Sequence, residues 1–302
     1  MRYSVQLPTH RIDAPKEFLS AEALGEMAQV AEAAGFDACF VTDHPFPGDK
    51  WLAAGGHHSL DPFVALSFAA AATTKIRIQT HILVAPYRNA FITAKAAASL
   101  DVLSNGRLIL GMAAGYLKSE FKALGADFEG RNEATDEVIR AIRRAWNETG
   151  VEFEGRDFSV RGNTMLPRPT QQPGPPIWVG GNSRRAIRRA VELADGWVPF
   201  PNPQSHASYQ RTAALETVDD LRERLAYASE HAERVGRSAP LDVCFAPVGG
   251  TMIAQQKLEP GPVREQAAEL EALGVTWLAL SVSDASRAAW CQAVSALGPQ
   301  LS

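Results

Sequence analysis

Residues 176–197 read PIWVGGNSRRAIRRAVELADGW, and the rest of the chain can be parsed from this stretch. Ile177, Trp178 and Val179 form the short apolar run of a buried strand, Gly180 and Gly181 break it, and Ser183 stands where a helix N-cap belongs. From Arg184 the period changes. Ala186, Ile187, Ala190, Val191 and Ala194 fall on one helical face, and Arg184, Arg185, Arg188 and Arg189 fall on the other. A strand thus passes into a helix through two glycines, an amide and a hydroxyl. Such a turn suits an anion: glycine lets the backbone come close, and free N–H groups at the helix start point outward where the dipole favours negative charge. The same residues also read as a plain capped turn, and taken alone they leave both readings open.

Working outward, strand-then-helix units recur on both sides. Residues 3–7 form an apolar run ending at Pro8, and Ser20 opens a helical pattern carrying Leu24, Met27, Ala31 and Ala34 before Gly35. Ala38–Val41 is the second strand, and Asp61-Pro62 marks the start of its helix, with Asp as cap and Pro at the first helical position. Residues 76–84 and 92–103 make the third unit, and 107–112 and 132–146 the fourth. After the opening stretch, residues 196–200 precede the clearest helix, Val218–Val235. Residues 241–246 lead through a Gly-rich loop to 263–273, and 276–281 lead to 285–297. Residues 151–175 break the rhythm: VEFEGRDFSVRG reads as a hairpin and RPTQQPGPP as a connector that can hardly be helix or central strand.

Eight strands, apolar throughout and alternating with eight helices, imply parallel strands buried on both faces and closure into a (β/α)8 TIM barrel. The expected organisation is one domain, 1–302, with an insertion at about 151–175. A doubly wound open sheet would more often show G-x-G-x-x-G after its first strand, where this chain has Leu7-Pro8-Thr9-His10.

The 302 residues are 46% hydrophobic and 21% charged, with a net charge of −4, which describes a globular chain able to bury a large core. That balance points away from nucleic acid and anionic membrane as partners, and no stretch is long and apolar enough to span a bilayer. The start, MRYSVQLPTH, has no apolar signal core, so a cytoplasmic location is expected. Cys39, Cys244 and Cys291 are widely spaced, and two lie in strand-like runs, which favours buried thiols over a disulfide or metal site.

In a barrel, function belongs to the C-terminal ends of the strands. There lie Asp43 and His44, Thr80 and His81, the turn carrying Gly111, Ala113, Gly115 and Tyr116, and the turn from Gly180 to Ser183. Neighbouring carboxylates of a glycosidase, a G-x-S-x-G elbow and H-E-x-x-H are all missing. His44, His57, His58 and His81 do not have a convincing metal spacing. Gly111 and Gly115 admit something flat and the second glycine pair something phosphorylated, a combination that fits a large phosphorylated ring cofactor; each pair alone would also fit tight packing at the rim.

THILVAPYRN, GRLILGMAAGYLKSEFKALG and PPIWVGGNSRRAIRRAVELADGW together resemble the luciferase-like monooxygenase superfamily. With VTDHPFP, GGHHSLDPFVALSFAAAAT and LPRPTQQP, the chain is similar to its coenzyme F420-dependent oxidoreductase branch over about the first two-thirds. The resemblance implies a TIM barrel, usually a homodimer, with a flavin or deazaflavin ring in its mouth near Asp43, His44, Thr80 and His81. It implies a non-proline cis peptide at His81–Ile82, a polyol tail along Gly111, Ala113, Gly115 and Tyr116, and a phosphate on Val179, Gly180, Gly181, Asn182 and Ser183, with Arg184 following. It further implies hydride transfer to or from a small substrate, with His44 polarising the substrate or moving a proton, or else hydrogen-bonding the ring. Where several relatives carry a carboxylate after the glycine turn this chain has Tyr116, whose hydroxyl takes the proton donor's place. Arg184, Arg185, Arg188 and Arg189 form a basic patch suited to the polyanionic tail of coenzyme F420, or simply a solvated helix face. The alternatives are an FMN-dependent monooxygenase with a partner reductase and a barrel that binds cofactor without turnover. Phe46, Trp51, Tyr87, Tyr116 and Phe121 on rim loops suggest an apolar or aromatic substrate.

Overall fold

The computed structural model describes residues 1–246 and 258–301; most of the Gly-rich loop anticipated before the seventh helix lies outside them. In chain order the elements begin β1 (Arg2–Gln6), α1 (Pro15–Phe18), α2 (Ala21–Ala33), β2 (Ala38–Val41), α3 (Asp49–Ala53), α4 (Pro62–Ala72), β3 (Arg77–Val84) and α5 (Ala90–Leu103). They continue β4 (Leu108–Ala113), α6 (Lys118–Ala123), α7 (Arg131–Asn147), β5 (Val151–Glu154), β6 (Ser159–Asn163), β7 (Ile177–Gly180) and α8 (Arg184–Leu193). The last are β8 (Gly196–Val198), α9 (Gln204–Gln210), α10 (Val218–Val235), β9 (Asp242–Phe245), α11 (Pro260–Ala272), β10 (Trp277–Leu280) and α12 (Arg287–Leu297).

Eight parallel strands close a barrel in the order β1-β10-β9-β8-β7-β4-β3-β2, the (β/α)8 arrangement. β5 and β6 pair antiparallel outside it as the anticipated hairpin. The strands are apolar on both sides because each side has its own core. Ala38, Phe40, Ile109, Trp178, Val198, Cys244, Trp277 and Ala279 fill the barrel, whereas Val5, Val41, Leu110, Val179, Phe245 and Leu280 pack outward with the helices. At roughly 25 cal/mol per Å2 of apolar surface, such double burial makes each strand a major contributor to stability.

Helix starts follow side-chain capping. Ser20, Asp61, Asn89 and Ser183 accept hydrogen bonds from the first turns of α2, α4, α5 and α8. Thr217 and Asp220 form a reciprocal capping box on α10. The anticipated sixth strand is shorter than the apolar run because the Phe200 N–H turns away to the Asn182 Oδ1, 3.0 Å off, instead of joining the ladder. The short helices α1, α3, α6 and α9 were not anticipated, since 4 to 7 residues cannot establish a helical period. Cys39, Cys244 and Cys291 are free thiols, and burial pushes the first two up to about 12. Among the described residues no helix is long and apolar enough to cross a membrane. On the outside, Val64 and Phe68 of α4 and Ile92 and Leu103 of α5 are exposed.

Candidate active site

The loops after the strands gather the anticipated residues at one end of the barrel, where they do different work. The His81–Ile82 peptide is cis, as the resemblance implied. The β3–β4 register shifts between Thr80 and Leu83 at that point. The neighbouring glycines make room for this segment. A Cβ on Gly111 would sit 2.2 Å from the Thr80 carbonyl oxygen, and one on Gly180 would sit 2.3 Å from the Ile82 side chain. Gly115, with φ +75°, lies where a Cβ would meet Val84 and Phe121. Three of the anticipated ligand-approach glycines thus have packing reasons of their own, with Ile82 lying against both Gly111 and Gly180. Ala113 is alongside, 3.5 Å from where a Gly180 Cβ would be.

Thr80 spends its hydroxyl on the Gly111 carbonyl at 2.7 Å. His81 is buried against Phe40, with ring centroids 4.5 Å apart, and its Nδ1 meets the Gln79 amide at 2.9 Å. Burial holds His81 down to about 4, so it is neutral at pH 7. Asp43 is also committed: one oxygen accepts from the Val84 N–H and the other from Arg88. It ties β2 to the end of β3.

His44 sits beside a carboxylate that the sequence did not single out. Glu120, wholly buried on α6, accepts the Phe46 N–H and the Tyr87 hydroxyl, each at 2.9 Å. Its Oε2 is 3.5 Å from the His44 Nδ1. The carboxylate from β4's loop therefore clasps the ends of β2 and β3 and faces the imidazole. Flanked by Lys118 and Lys122 in a single short turn, Glu120 looks in sequence like a solvated helix residue. The His44 ring lies 4.5 Å from Trp51 and meets His57 edge-on at 4.7 Å. The His57 Nε2 is 3.2 Å from the Thr42 hydroxyl, and burial, with the neighbouring His44, His10 and His58, holds it down to about 3. His10 pairs with Asp284 at 2.8 Å. Tyr116 is half-buried and bonded to Trp51; burial raises its pKa, so the phenol stays protonated. Phe121 is fully buried in a small core with Val84 and Phe128 and does not line the rim as anticipated, while Phe46 is exposed. Among the described residues no three His, Cys, Asp or Glu side chains converge on a metal position.

The β7–α8 turn departs from its anticipated roles in detail. Val179 points into the outer core and offers the mouth no side chain. The Gly181 N–H bonds Val198 and the Asn182 N–H bonds Thr212. The buried Asn182 amide donates to the Phe200 and Ala213 carbonyls and accepts from Phe200. Asn182 fastens this turn to the next loop and has no amide to offer an anion. The donors left at the helix start are the N–H groups of Ser183, Arg184 and Arg185, which have no acceptor among the described residues. The arginines divide as well. Arg189 is buried and paired with Asp136, and Arg185 pairs with Glu133 at 2.8 Å. Neither belongs to a free basic patch, and Arg189, unlike the half-exposed Arg185, is also off the solvated face. Arg184 stacks on Tyr227 and Arg188 donates to its hydroxyl.

Two further cations, from other segments of the chain, add charge here. Arg131 and Arg211 stack on Phe128, at 4.1 and 4.8 Å from its ring centroid, and neither has an ion-pair partner among the described residues. Arg211 adjoins Thr212, the residue bonded to Asn182. Burial, with Arg211 and Arg185 close by, lowers the Arg131 pKa. Glu129 and Glu133 offset part of this charge, and the free helix N–H groups beside the two arginines remain donors that an anion can use. The residues present therefore fit a phosphorylated cofactor, with its anionic end at this turn.

A model of the luciferase-like monooxygenase family matches residues 1–249. An FMNH(2)-dependent dimethylsulfone monooxygenase from Pseudomonas putida is 30% identical over 218 residues, 71% of this chain and 56% of the relative. An F420-dependent glucose-6-phosphate dehydrogenase from Kineococcus radiotolerans is 31% identical over 179 residues, 58% of this chain and 51% of the relative. The chain spans about half the length of these curated relatives. In three dimensions it superposes on a monooxygenase from Streptomyces bottropensis with a TM-score of 0.79 at 21% identity, covering 100% of this chain and 98% of the other. A coenzyme F420 dependent tetrahydromethanopterin reductase from Methanopyrus kandleri gives 0.74 at 18% identity, with 99% and 98% covered. Those two likenesses concern the fold; the family-model match over most of the chain carries the assignment. This protein belongs to the luciferase-like monooxygenase family.

Proposed function

We propose that the chain is an oxidoreductase that transfers hydride between coenzyme F420 and a small apolar or aromatic substrate. The observation that carries this reading is the electropositive end of the mouth: free N–H groups at the start of α8 with Arg184, Arg131 and Arg211 around them. A tail bearing several anionic groups suits three such guanidiniums better than one phosphate does. When bound, the cofactor supplies the ring carbon that accepts or gives up the hydride. The chain holds its anionic end at Ser183, Arg184, Arg131 and Arg211 and seats its ring against Ile82. His44, with Glu120 facing its Nδ1 at 3.5 Å, moves the substrate's proton at Nε2. Tyr116, held protonated and bonded to Trp51, is a neutral donor on the same side. Trp51 and Tyr116 give the substrate an aromatic wall.

The pairing of Arg185 and Arg189 with acids favours a second reading, an FMN-dependent monooxygenase, because it removes two charges from the patch. The F420-dependent and FMNH(2)-dependent names among the relatives support either cofactor. The exposed apolar stripe of α4 and α5 supports a homodimer, and the three free thiols support a reducing compartment, the cytoplasm. The test is an equilibrium titration of purified apoprotein with coenzyme F420 and with FMN. Tighter F420 binding is expected; FMN binding as tight or tighter would overturn the cofactor choice.

A further inference from the structure

The strand order places β7 four steps from β1 in either direction around the barrel. The anionic end at β7 thus faces the loops after β1 and its neighbours, β2 and β10, across the mouth. His10 and Asp284 follow β1 and β10, and His44 and His57 lie in the loop after β2. The His57 ring centroid is 4.7 Å from that of His44 and 6.2 Å from that of His10, so the three rings form one contiguous cluster. The buried Nδ1 atoms of His10, His44 and His57 have no hydrogen-bond partner among the described residues, and only that of His44 faces a carboxylate, at 3.5 Å. Such atoms are costly to leave unpaired, and native proteins complete them with water, an ion or a ligand.

We infer that His10 and His57 form a substrate subsite that takes a neutral oxygen function, a hydroxyl or carbonyl, beside His44. This deepens the proposed hydride-transfer reading and rests on it. The electrostatics favour a neutral group over an anion. His10 is matched by Asp284, Arg11 is shared between Asp284 and Asp13, and His57 is held neutral by its burial, so no surplus cation faces the two free nitrogens. A carboxylate or phosphate would be desolvated there without compensation. A hydroxyl instead pairs with an imidazole nitrogen in either tautomer, and a carbonyl oxygen accepts from a ring nitrogen that carries the proton. The adjacent Trp51 ring, 5.5 Å from His57, gives the carbon skeleton an apolar seat.

The experiment uses the full chain labelled with 15N-histidine, with cyclohexanone and cyclohexanol as probes and cyclohexanecarboxylate and methylcyclohexane as controls. The expected result is saturable shifts of the His10 and His57 ring-nitrogen resonances with the ketone and the alcohol. The carboxylate should bind at least 10-fold more weakly, and the hydrocarbon should leave those resonances in place. His57→Phe should weaken ketone binding at least 10-fold while coenzyme F420 affinity stays within twofold, and His57→Gln should restore part of the loss. Equal binding of the carboxylate, absence of ring-nitrogen shifts with both oxygen probes, or parallel loss of ketone and coenzyme F420 in His57→Phe would each overturn the subsite. Failure of the wild-type chain to bind coenzyme F420 would overturn the cofactor reading and leave the histidine shifts readable.

Discussion

The two sides of the barrel mouth are built in opposite ways. On the β7 side one continuous stretch makes the turn, and its polar groups are largely consumed by their own neighbours: Gly181 by Val198, and Asn182 by Thr212, Phe200 and Ala213. On the β1–β2 side the polar groups come from separate segments, Glu120 from α6, His44 and His57 from the loop after β2, and His10 and Asp284 from two further loops. That side keeps unpaired nitrogens. The first side is a frame whose spare donors are the backbone N–H groups of the helix start, and the second is a cluster whose spare capacity lies in side-chain nitrogens. Preorganised binding and proton movement call for these two different constructions.

If that contrast is right, the largest effect of a small change falls on the frame. Asn182→Ala deletes three buried hydrogen bonds and leaves backbone groups of Phe200 and Ala213 unpaired. A loss of about 3 kcal/mol is expected in urea unfolding; a loss under about 1 kcal/mol would mean that water readily replaces the amide and that the frame is loose. Gly181→Val would be a poor probe of the anion site, since Gly181 has φ +117° and any side chain there strains the turn before a ligand arrives.

On the other side the expected cost is to chemistry. Glu120→Gln keeps the shape and the Phe46 bond but removes the charge facing His44. Turnover should fall about 10- to 100-fold, the range of a disturbed acid–base group, with KM changed much less. Steady-state kinetics showing KM rising while kcat holds would instead make Glu120 part of the binding frame.

A further effect, small per pH unit, is on acid stability. His57 and His81 are held neutral by burial at about 3 and 4, below their unfolded value near 6.5. The unfolded chain therefore takes up protons that the folded chain refuses. Stability is full above about pH 6.5, falls as the pH drops below it, and stops falling on account of each histidine once its folded value is passed. Replacing His57 by Phe should reduce this dependence by about one proton, roughly 1.4 kcal/mol per pH unit between pH 6 and 4. Urea midpoints measured against pH check it, and an unchanged slope would place His57 in water.

How much of this was legible in sequence follows from the same contrast. The barrel could be counted because each strand-to-helix unit carries its signal locally, as Ser20, Asp61-Pro62 and Ser183 do. The β7–α8 turn was found for that reason too, and the cis His81–Ile82 bond came from the resemblance. The particular duties within the turn were not legible. Whether Asn182 reaches a ligand or the Ala213 carbonyl depends on a loop some thirty residues away. Glu120 was missed because its burial is created by Phe46 and Tyr87 from other loops, while its own neighbours in sequence are lysines. Arg131 and Arg211 meet over Phe128, and no spacing in the chain announces that meeting.

The division between holding and reacting comes down to one comparison, equilibrium titration of coenzyme F420 into the wild type, Arg211→Ala and Glu120→Gln. Removal of Arg211 is expected to weaken binding about 10-fold, some 1.4 kcal/mol, with the difference shrinking at high salt, while Glu120→Gln stays within twofold of wild type. The opposite pattern, with Arg211 indifferent and Glu120 required for affinity, would contradict the assignment of the two sides.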